Sequence, residues 1–480
     1  MTDVRTQSAE AAALNADVAL ITALLGGTKT MRAAGETYLP KWPNEDDESY
    51  RLRLAVSTLF PAYARTVEVL AAKPFSKPLT LGEDVPARLK VWAEDIDKSG
   101  RNLHSFASEL CQAALGYGFG GILVDYPKVE GIVTRDQELK AGVRPYFVQI
   151  HVKNILGWLP KNATSVAELT QLRLLESAEV PNGEFDTKRI EQVRVLGRGT
   201  WQIWRKSEGG NKEWLLYDKG PTTLPTIPFV PVYGKRLAHM EACPPLVELG
   251  HMNVEHWQSK SDQQNILHVA RVPILFMKGV EAETAITVGA GTAVKTDRPD
   301  ADMKFVEHSG AAIEAGRLSI LDLEDRMRQA GAELLVIKPG NVTESQTLAD
   351  NEQGSCALKK VAENIEDAID QALQLMAAWV GEPQGGHVTV FKDFGAATLA
   401  EASADLLFKS ATGGKISSET YFNELQRRGT LSPDLDWDEE KKRIEDDREN
   451  DEPPTFDVPM PKGPQKPGGQ PSAKPKPVTE

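Results

Sequence analysis

The feature that most constrains this 480-residue sequence lies between residues 244 and 335, where two long helical patterns enclose a short stretch of a different kind. Pro244 and Pro245 suit a helix start. Behind them Leu246, Leu249, Val254, Trp257 and Ile266 stand among many polar residues, which predicts a helix of about 26 positions over 244–271, long and unusually polar. From Pro273 the apolar run VPILFM, the Gly-rich GAGT at 289–292 and the strand-like Lys304–Glu307 predict a small β module over 272–308. A second helix follows over 309–335. Ile313, Ile320, Leu323, Met327 and Leu334 mark its apolar face, and Glu314, Arg317, Asp325, Arg326 and Arg328 mark the other.

The flanking regions read as α+β, predominantly helical. Ala12, Leu14, Val18, Leu20, Ile21 and Leu24 predict a first helix over 8–25, stopped by Gly26 and Gly27. The pattern from Tyr50 to Leu70 is interrupted at Pro61. Asn102 is a candidate N-cap for a helix bearing Leu103, Phe106, Ala107, Leu110 and Ala114, and a strand Ile122–Tyr126 follows. Residues 144–158, 168–176, 189–196, 201–206 and 213–217 are rich in Val, Ile, Leu, Trp and Tyr between turn signals, which predicts an antiparallel β region. After a polar loop at 338–354, Leu358, Val361, Ile365, Ile369, Leu373 and Met376 predict a tightly packed helix. A strand His387–Phe391 and a mostly helical region come next, with Ile416, Ser417 and Tyr421 as a cap and staple and Gly429 past a helix end. From 451 to 480 proline, lysine and glycine leave almost nothing apolar to bury, so this tail is expected to be disordered.

Several function classes lack their anchors. Cys111, Cys243 and Cys356 are too far apart for a zinc or disulfide pattern and suit a reducing compartment. No apolar run reaches about 18 residues, so no membrane span is expected. A net charge of -14 argues against a surface that grips a phosphate backbone. Gly116, Gly118 and Gly121 spell GxGxxG, but they follow a helix and precede a strand, the reverse of a dinucleotide site, and read as a helix stop with a tight turn. His251 and His256 do not share a helical face, and no metal site is read from them. Asp95 and Asp97 read as a solvated turn before the Asn102 helix. Trp42, Trp92, Trp158, Trp201, Trp204 and Trp257 lack interleaved cations and read as core or interface anchors. No catalytic residue, cofactor or metal is expected.

YLPKWPNEDDESYRLRL at 38–54, RTVEVLAAKPFSKP at 65–78 and WAEDIDKSGRNLHSFASELCQAALGYGFGGILVDYP at 92–127 resemble segments of tailed-bacteriophage portal proteins. So do RPYFVQIHVKNILGW at 144–158, LVELGHMNVEHWQSKSDQQNILHVARVPILFMKG at 246–279 and KISSETYFNELQRRGTL at 415–431. They occur in one consistent order over about residues 1–450, and the proline-rich tail is not covered. The resemblance implies a dodecameric ring with wing, stem, clip and crown regions around a DNA channel, at the portal vertex of a virion assembled in the host cytoplasm.

On that resemblance 1–243 is wing, 244–271 a stem helix, 272–308 clip and 309–335 the second stem helix. Residues 336–395 are tunnel loop and long wing helix, and 396–450 a helical crown. Its partners would be double-stranded DNA without sequence specificity, terminase large subunit, tail adaptors, and major capsid and scaffolding proteins. Channel candidates are Glu314, Arg317, Asp325, Arg326 and Arg328 on the second stem helix and Lys338, Asn341, Thr343 and Gln346 in the loop, against which stands a reading of inter-subunit pairs or plain solvated faces. The first stem helix, too polar to bury in a monomer, would satisfy its faces against neighbouring copies and an aqueous channel. Another virion structural or adaptor protein, or a cytoplasmic enzyme with a cryptic site, are the alternatives.

Overall fold

Three early helices of this chain start where a side chain receives the first unpaired backbone N–H groups. Ser8 accepts from the Ala11 N–H, Asp46 from those of Glu48 and Ser49, and Asn102 from that of Ser105. The computed structural model describes residues 3–127, 142–161, 168–207, 213–270, 274–278, 299–300, 302–306, 310–332, 356–392, 394, 408–409, 411–427, 431 and 435–450. The fold is α+β, with 49% helix and 23% strand, and the chain divides into two compact units, 1–395 and 396–480.

The first unit opens with α1 (Ala9–Leu14), α2 (Val18–Leu25), α3 (Gly27–Ala34), α4 (Asp47–Val56) and α5 (Ala62–Ala72). Strand β1 (Thr80–Leu81), α6 (Ala87–Trp92) and α7 (Leu103–Tyr117) lead into β2 (Phe119–Asp125). Then come β3 (Tyr146–His151), β4 (Ile155–Pro160), β5 (Leu169–Pro181), β6 (Thr187–Gly197), β7 (Thr200–Lys206) and β8 (Trp214–Pro221). Strands β9 (Phe229–Tyr233), β10 (Lys235–Ala238) and β11 (Glu241–Cys243) close the β-rich part. Helix α8 (Val247–Ala270), β12 (Ile274–Lys278), β13 (Asp302–Val306), α9 (Ala311–Ala332), α10 (Ala357–Val380) and β14 (Val388–Thr389) complete it. The second unit contains α11 (Ser418–Arg427) and α12 (Trp437–Asn450), with the Ser417 hydroxyl capping Thr420 and the rings of Phe422 and Trp437 in contact.

The core of the first unit is three layers deep, and strand alternation decides which residue faces which layer. In the sheet β3-β2-β9, Ile122, Val124, Phe147, Val230 and Val232 face a helical layer built from α2, α5, α7 and α10. Their alternates Phe119, Leu123, Ile150, Phe229 and Tyr233 face Leu172, Leu174 and Leu196 of the five-stranded sheet β4-β5-β6-β7-β8. The far face of that second sheet carries Val193, Val195, Leu175, Trp204 and Trp214, over which Val4 of the N-terminal segment lies. Glycine is required where α7 turns into β2. Gly118 has φ +79°, and a Cβ there would stand 2.3 Å from the Pro244 nitrogen. The three glycines of the GxGxxG letters thus serve a helix stop and close packing, with Gly121 lying under the Phe229 ring.

Three readings of the sequence are corrected. The first helix is two, because the Asn15 amide donates back to the Ala11 carbonyl at 2.7 Å and ends α1. The strand expected from Ile122 starts at Phe119. Asp95 and Asp97 are not a solvated turn. Asp97 is buried and accepts from the N–H groups of Ser99 and Arg101 and, at 2.6 Å, from the Arg101 guanidinium, while Asp95 pairs with Arg144 at 2.9 Å. Burial alone would raise the Asp97 pKa, but those bonds outweigh it and hold it low.

Candidate functional site

The elements that enclose the short module form one continuous hairpin. On α8, Gln263 donates to the Ile313 carbonyl at the start of α9 at 2.8 Å, and one turn or two earlier His256 Nε2 lies 3.2 Å from Glu324. As one number falls the other rises, so the helices are antiparallel. Strands β12 and β13 are antiparallel too, from Ile274 opposite Val306 to Lys278 opposite Asp302, and form a separate two-stranded sheet at the outer end of the helical pair. The residue after β13 that the sequence placed in the strand, Glu307, lies outside the described residues.

The inner half of α8 is anchored in the core, and polar side chains do most of that anchoring. Leu246 and Leu249 start a buried stripe at spacings of three and four, but Asn253, His256, Ser261 and Gln263 continue it. Asn253 accepts from the Tyr63 N–H at 3.0 Å and donates to the Phe60 carbonyl at 2.8 Å. Ser261 meets the Ser57 hydroxyl at 2.9 Å, and Gln258 donates to the Tyr38 carbonyl at 3.0 Å. Gly316 makes room for Gln263, whose Oε1 would lie 2.2 Å from any Cβ there. The expectation that α8 must find neighbouring copies or water for its polar faces is therefore corrected: much of its polarity is satisfied inside the chain, because loop carbonyls and N–H groups next to α4 and α5 need partners that leucine cannot supply. Trp257 is buried in the same stripe, and the His256 ring stands 5.2 Å from that of Phe60. Burial lowers the His256 pKa more than Glu324 raises it, which favours the neutral imidazole.

The opposite face of α9 carries the candidates read from the sequence. Glu314 and Arg317 are exposed and bonded to each other at 2.5 and 2.9 Å, each favouring the charged form of the other. Arg328 pairs with Asp325 and reaches Glu324 at 3.5 Å. Arg326 is exposed and, among the described residues, has no ion-pair partner. At 100° per residue it also points to a different side of the helix from Arg317 and Arg328. The structure thus brings Glu314 to Arg317 and Asp325 to Arg328, and leaves Arg326 apart. Lys338, Asn341, Thr343 and Gln346 lie outside the described residues, as do Leu334 and the end of the predicted helix.

The seam of Asn253, His256, Ser261 and Gln263 escaped the sequence reading, although its signal was present: a stripe at helical spacing in which amide, imidazole and hydroxyl replace leucine. Leu318 and Leu321 complete the picture as exposed apolar residues on the outward side of α9.

A family model described as a domain of unknown function (DUF4055) matches residues 245–380, a span that holds the hairpin and α10. No curated protein matches the chain. Solved structures similar to it include a chain of the virion of a native gene transfer agent (GTA) particle, 12% identical with a TM-score of 0.40 over 87% of this chain and 98% of that one. A chain of the neck of the empty GTA particle computed with C6 symmetry is 12% identical, with a TM-score of 0.42 over 80% and 94%. The neck of the native particle computed with C12 symmetry gives 12% and 0.39 over 82% and 97%.

Proposed function

We propose that this chain is a portal-type subunit, twelve copies of which close a ring at the unique vertex of a viral head. Double-stranded DNA passes through the ring without sequence specificity, terminase large subunit docks during packaging and tail adaptors afterwards, and major capsid and scaffolding proteins surround it. The observation that carries the reading is the α8–α9 hairpin continuing into the β12–β13 pair, an arrangement that would serve as a portal stem ending in its clip; the ordered sequence segments of portal type support it. No catalytic step and no cofactor enter this role.

The charges on α9 suit passage rather than retention. Twelve chains of net charge -14 repel phosphate overall. Arg317 and Arg328 are already engaged by carboxylates one turn away, so a passing phosphate gains little from them, and Arg326 offers a weak transient contact. Lys338, Asn341, Thr343 and Gln346 belong to the same proposed lining. A ring of identical subunits needs two different complementary surfaces on each copy, and the outward Leu318 and Leu321 supply apolar area for one of them.

Negative-stain electron microscopy of the purified chain tests the reading. Twelve-fold rings with a central hole wide enough for duplex DNA are expected. A stable monomer or closed dimer at every salt and protein concentration tried would overturn it.

A further inference from the structure

The outer face of the five-stranded sheet is only partly covered. Residues 3–8 cross it, turning at Val4 and Arg5, held by Ser8 N–H to the Leu156 carbonyl at 2.8 Å and by the Arg173 guanidinium to the Val4 and Thr6 carbonyls at 2.8 and 2.9 Å. Beside this segment an open groove of about 1260 Å³ runs along the sheet. Half-buried indoles of Trp204 and Trp214, from β7 and the start of β8, line it, with Leu159 of β4 at its edge. Its rim is acidic, with Asp3, Glu10, Glu213 and Glu241, and its one arginine is committed to the N-terminal segment.

Beside its carboxylates the groove has polar atoms to spare. His239 Nε2, on the turn between β10 and β11, is a buried atom with no hydrogen-bond partner among the described residues. The indole N–H of Trp214 donates no hydrogen bond among those residues, whereas that of Trp204 is taken by Gln202 at 3.0 Å. A ligand that fits therefore offers positive charge to the rim, flat apolar rings to the indoles and a carbonyl acceptor to the Trp214 N–H. A proline-rich peptide has that chemistry: its polyproline II backbone leaves every carbonyl free, and aromatic grooves recognise it because it loses little entropy on binding.

We infer that this groove binds an extended proline-rich peptide bearing lysines, its prolines seated on Trp204 and Trp214 and its lysines against the acidic rim. The sequence itself contains such a peptide at 459–477. Pro461, Pro464 and Pro467 recur every third residue, the period that stacks them along one edge of a polyproline II helix. Lys462, Lys466, Lys474 and Lys476 lie between prolines, and Glu480 is the sole acid from 459 onwards. The inference is independent of the ring, since a groove and a peptide suffice for it.

The test is fluorescence anisotropy of a labelled synthetic peptide of residues 459–477 titrated with the full-length chain. Saturable binding is expected, weakened about tenfold by Trp204→Ala, the loss of one aromatic anchor. Glu241→Lys, an exposed position that cannot disturb the core, is expected to weaken binding severalfold and to reduce its salt dependence. A peptide with Pro461, Pro464 and Pro467 changed to Ala and all lysines kept is expected to lose most of its affinity. Absence of saturation up to about 1 mM chain, equal binding of the alanine peptide, or wild-type affinity in both chain variants would overturn the inference. Should Trp204→Ala not fold, as circular dichroism would show, Glu241→Lys and the alanine peptide decide it.

Discussion

Asn253 has no exposed surface, and each end of its amide answers a backbone group where the chain enters α5: its Oδ1 takes the Tyr63 N–H, and its Nδ2 joins the Ala62 N–H on the Phe60 carbonyl. Leucine would fill a similar volume but leave the Tyr63 N–H without its acceptor, while the Phe60 carbonyl keeps the Ala62 N–H. Asn253→Leu should therefore cost about 1–3 kcal/mol, the cost of one orphaned group, read as a shift in the urea midpoint at unchanged slope. Histidines set a second expectation at this scale. Burial, helped by Lys153, pushes the His151 pKa down to about 4, and its Nδ1 accepts the Lys153 N–H, which requires the neutral ring. His239 and His256 are also lowered by burial. Below pH 6.5 the unfolded chain binds protons that these folded imidazoles refuse, so their contribution is complete above pH 6.5 and is lost as the pH falls towards 4. His387, raised by its 2.5 Å bond to Asp84, works in the opposite direction. The melting temperature of the chain should thus fall between pH 6.5 and 4, and His151→Gln should flatten that slope; an unchanged slope would remove His151 from the account. Among the arginines of α9, packaging by Arg326→Ala rings should change more than by Arg317→Ala rings, because Arg317 is already neutralised by Glu314. None of these distinctions was legible in the residue types alone. The five acids and bases Glu314, Arg317, Asp325, Arg326 and Arg328 look equivalent in sequence, and only the helix geometry separates the paired from the free.

The elements were more legible than the residues. The periodicity of α10 named Leu358, Val361, Ile365, Ile369, Leu373 and Met376 correctly, and all are buried. Ile369→Ala, at 0% exposure in a close-packed layer, should cost about 2–5 kcal/mol, measurable by chemical denaturation. The cap at Asn102 and the stop at Gly118 also stood in the sequence, since both obey local rules that operate without the rest of the fold. Gly118→Ala should be at least as severe as Ile369→Ala: its Cβ meets backbone of the 243–244 link that cannot rotate away, at a φ that alanine rarely adopts. What local rules missed was long-range. Strand β9 contains Pro228 just before it and Pro231 within it, which argues against a central strand, yet it pairs with β2 as an edge strand, where a missing N–H is tolerated. Helix α8 misled for the converse reason. Its composition suggested solvent or neighbouring copies, and its partners turned out to be loop backbone some 190 residues earlier in the chain.

For the molecule as a whole, a net charge of -14 makes association with further copies self-repulsive. Added salt shortens the reach of that repulsion, from about 10 Å at 0.1 M to about 3 Å at 1 M. Ring formation followed by sedimentation velocity should therefore be favoured as salt rises through this range, the opposite of a complex held by phosphate contacts; dissociation with rising salt would show that inter-copy ion pairs dominate. The polar seam of the hairpin has a further consequence, one of mechanics. Apolar stripes let two helices slide, because one leucine can exchange for another at little cost. A slip of one turn, about 5.4 Å, would instead break the Gln263–Ile313 and His256–Glu324 links together and move Asn253 off the two groups it serves. The helical pair is keyed like a toothed rack, so a push delivered at β12 and β13 reaches α4 and α5 as displacement of a rigid strut, with little of it absorbed by shear along the way.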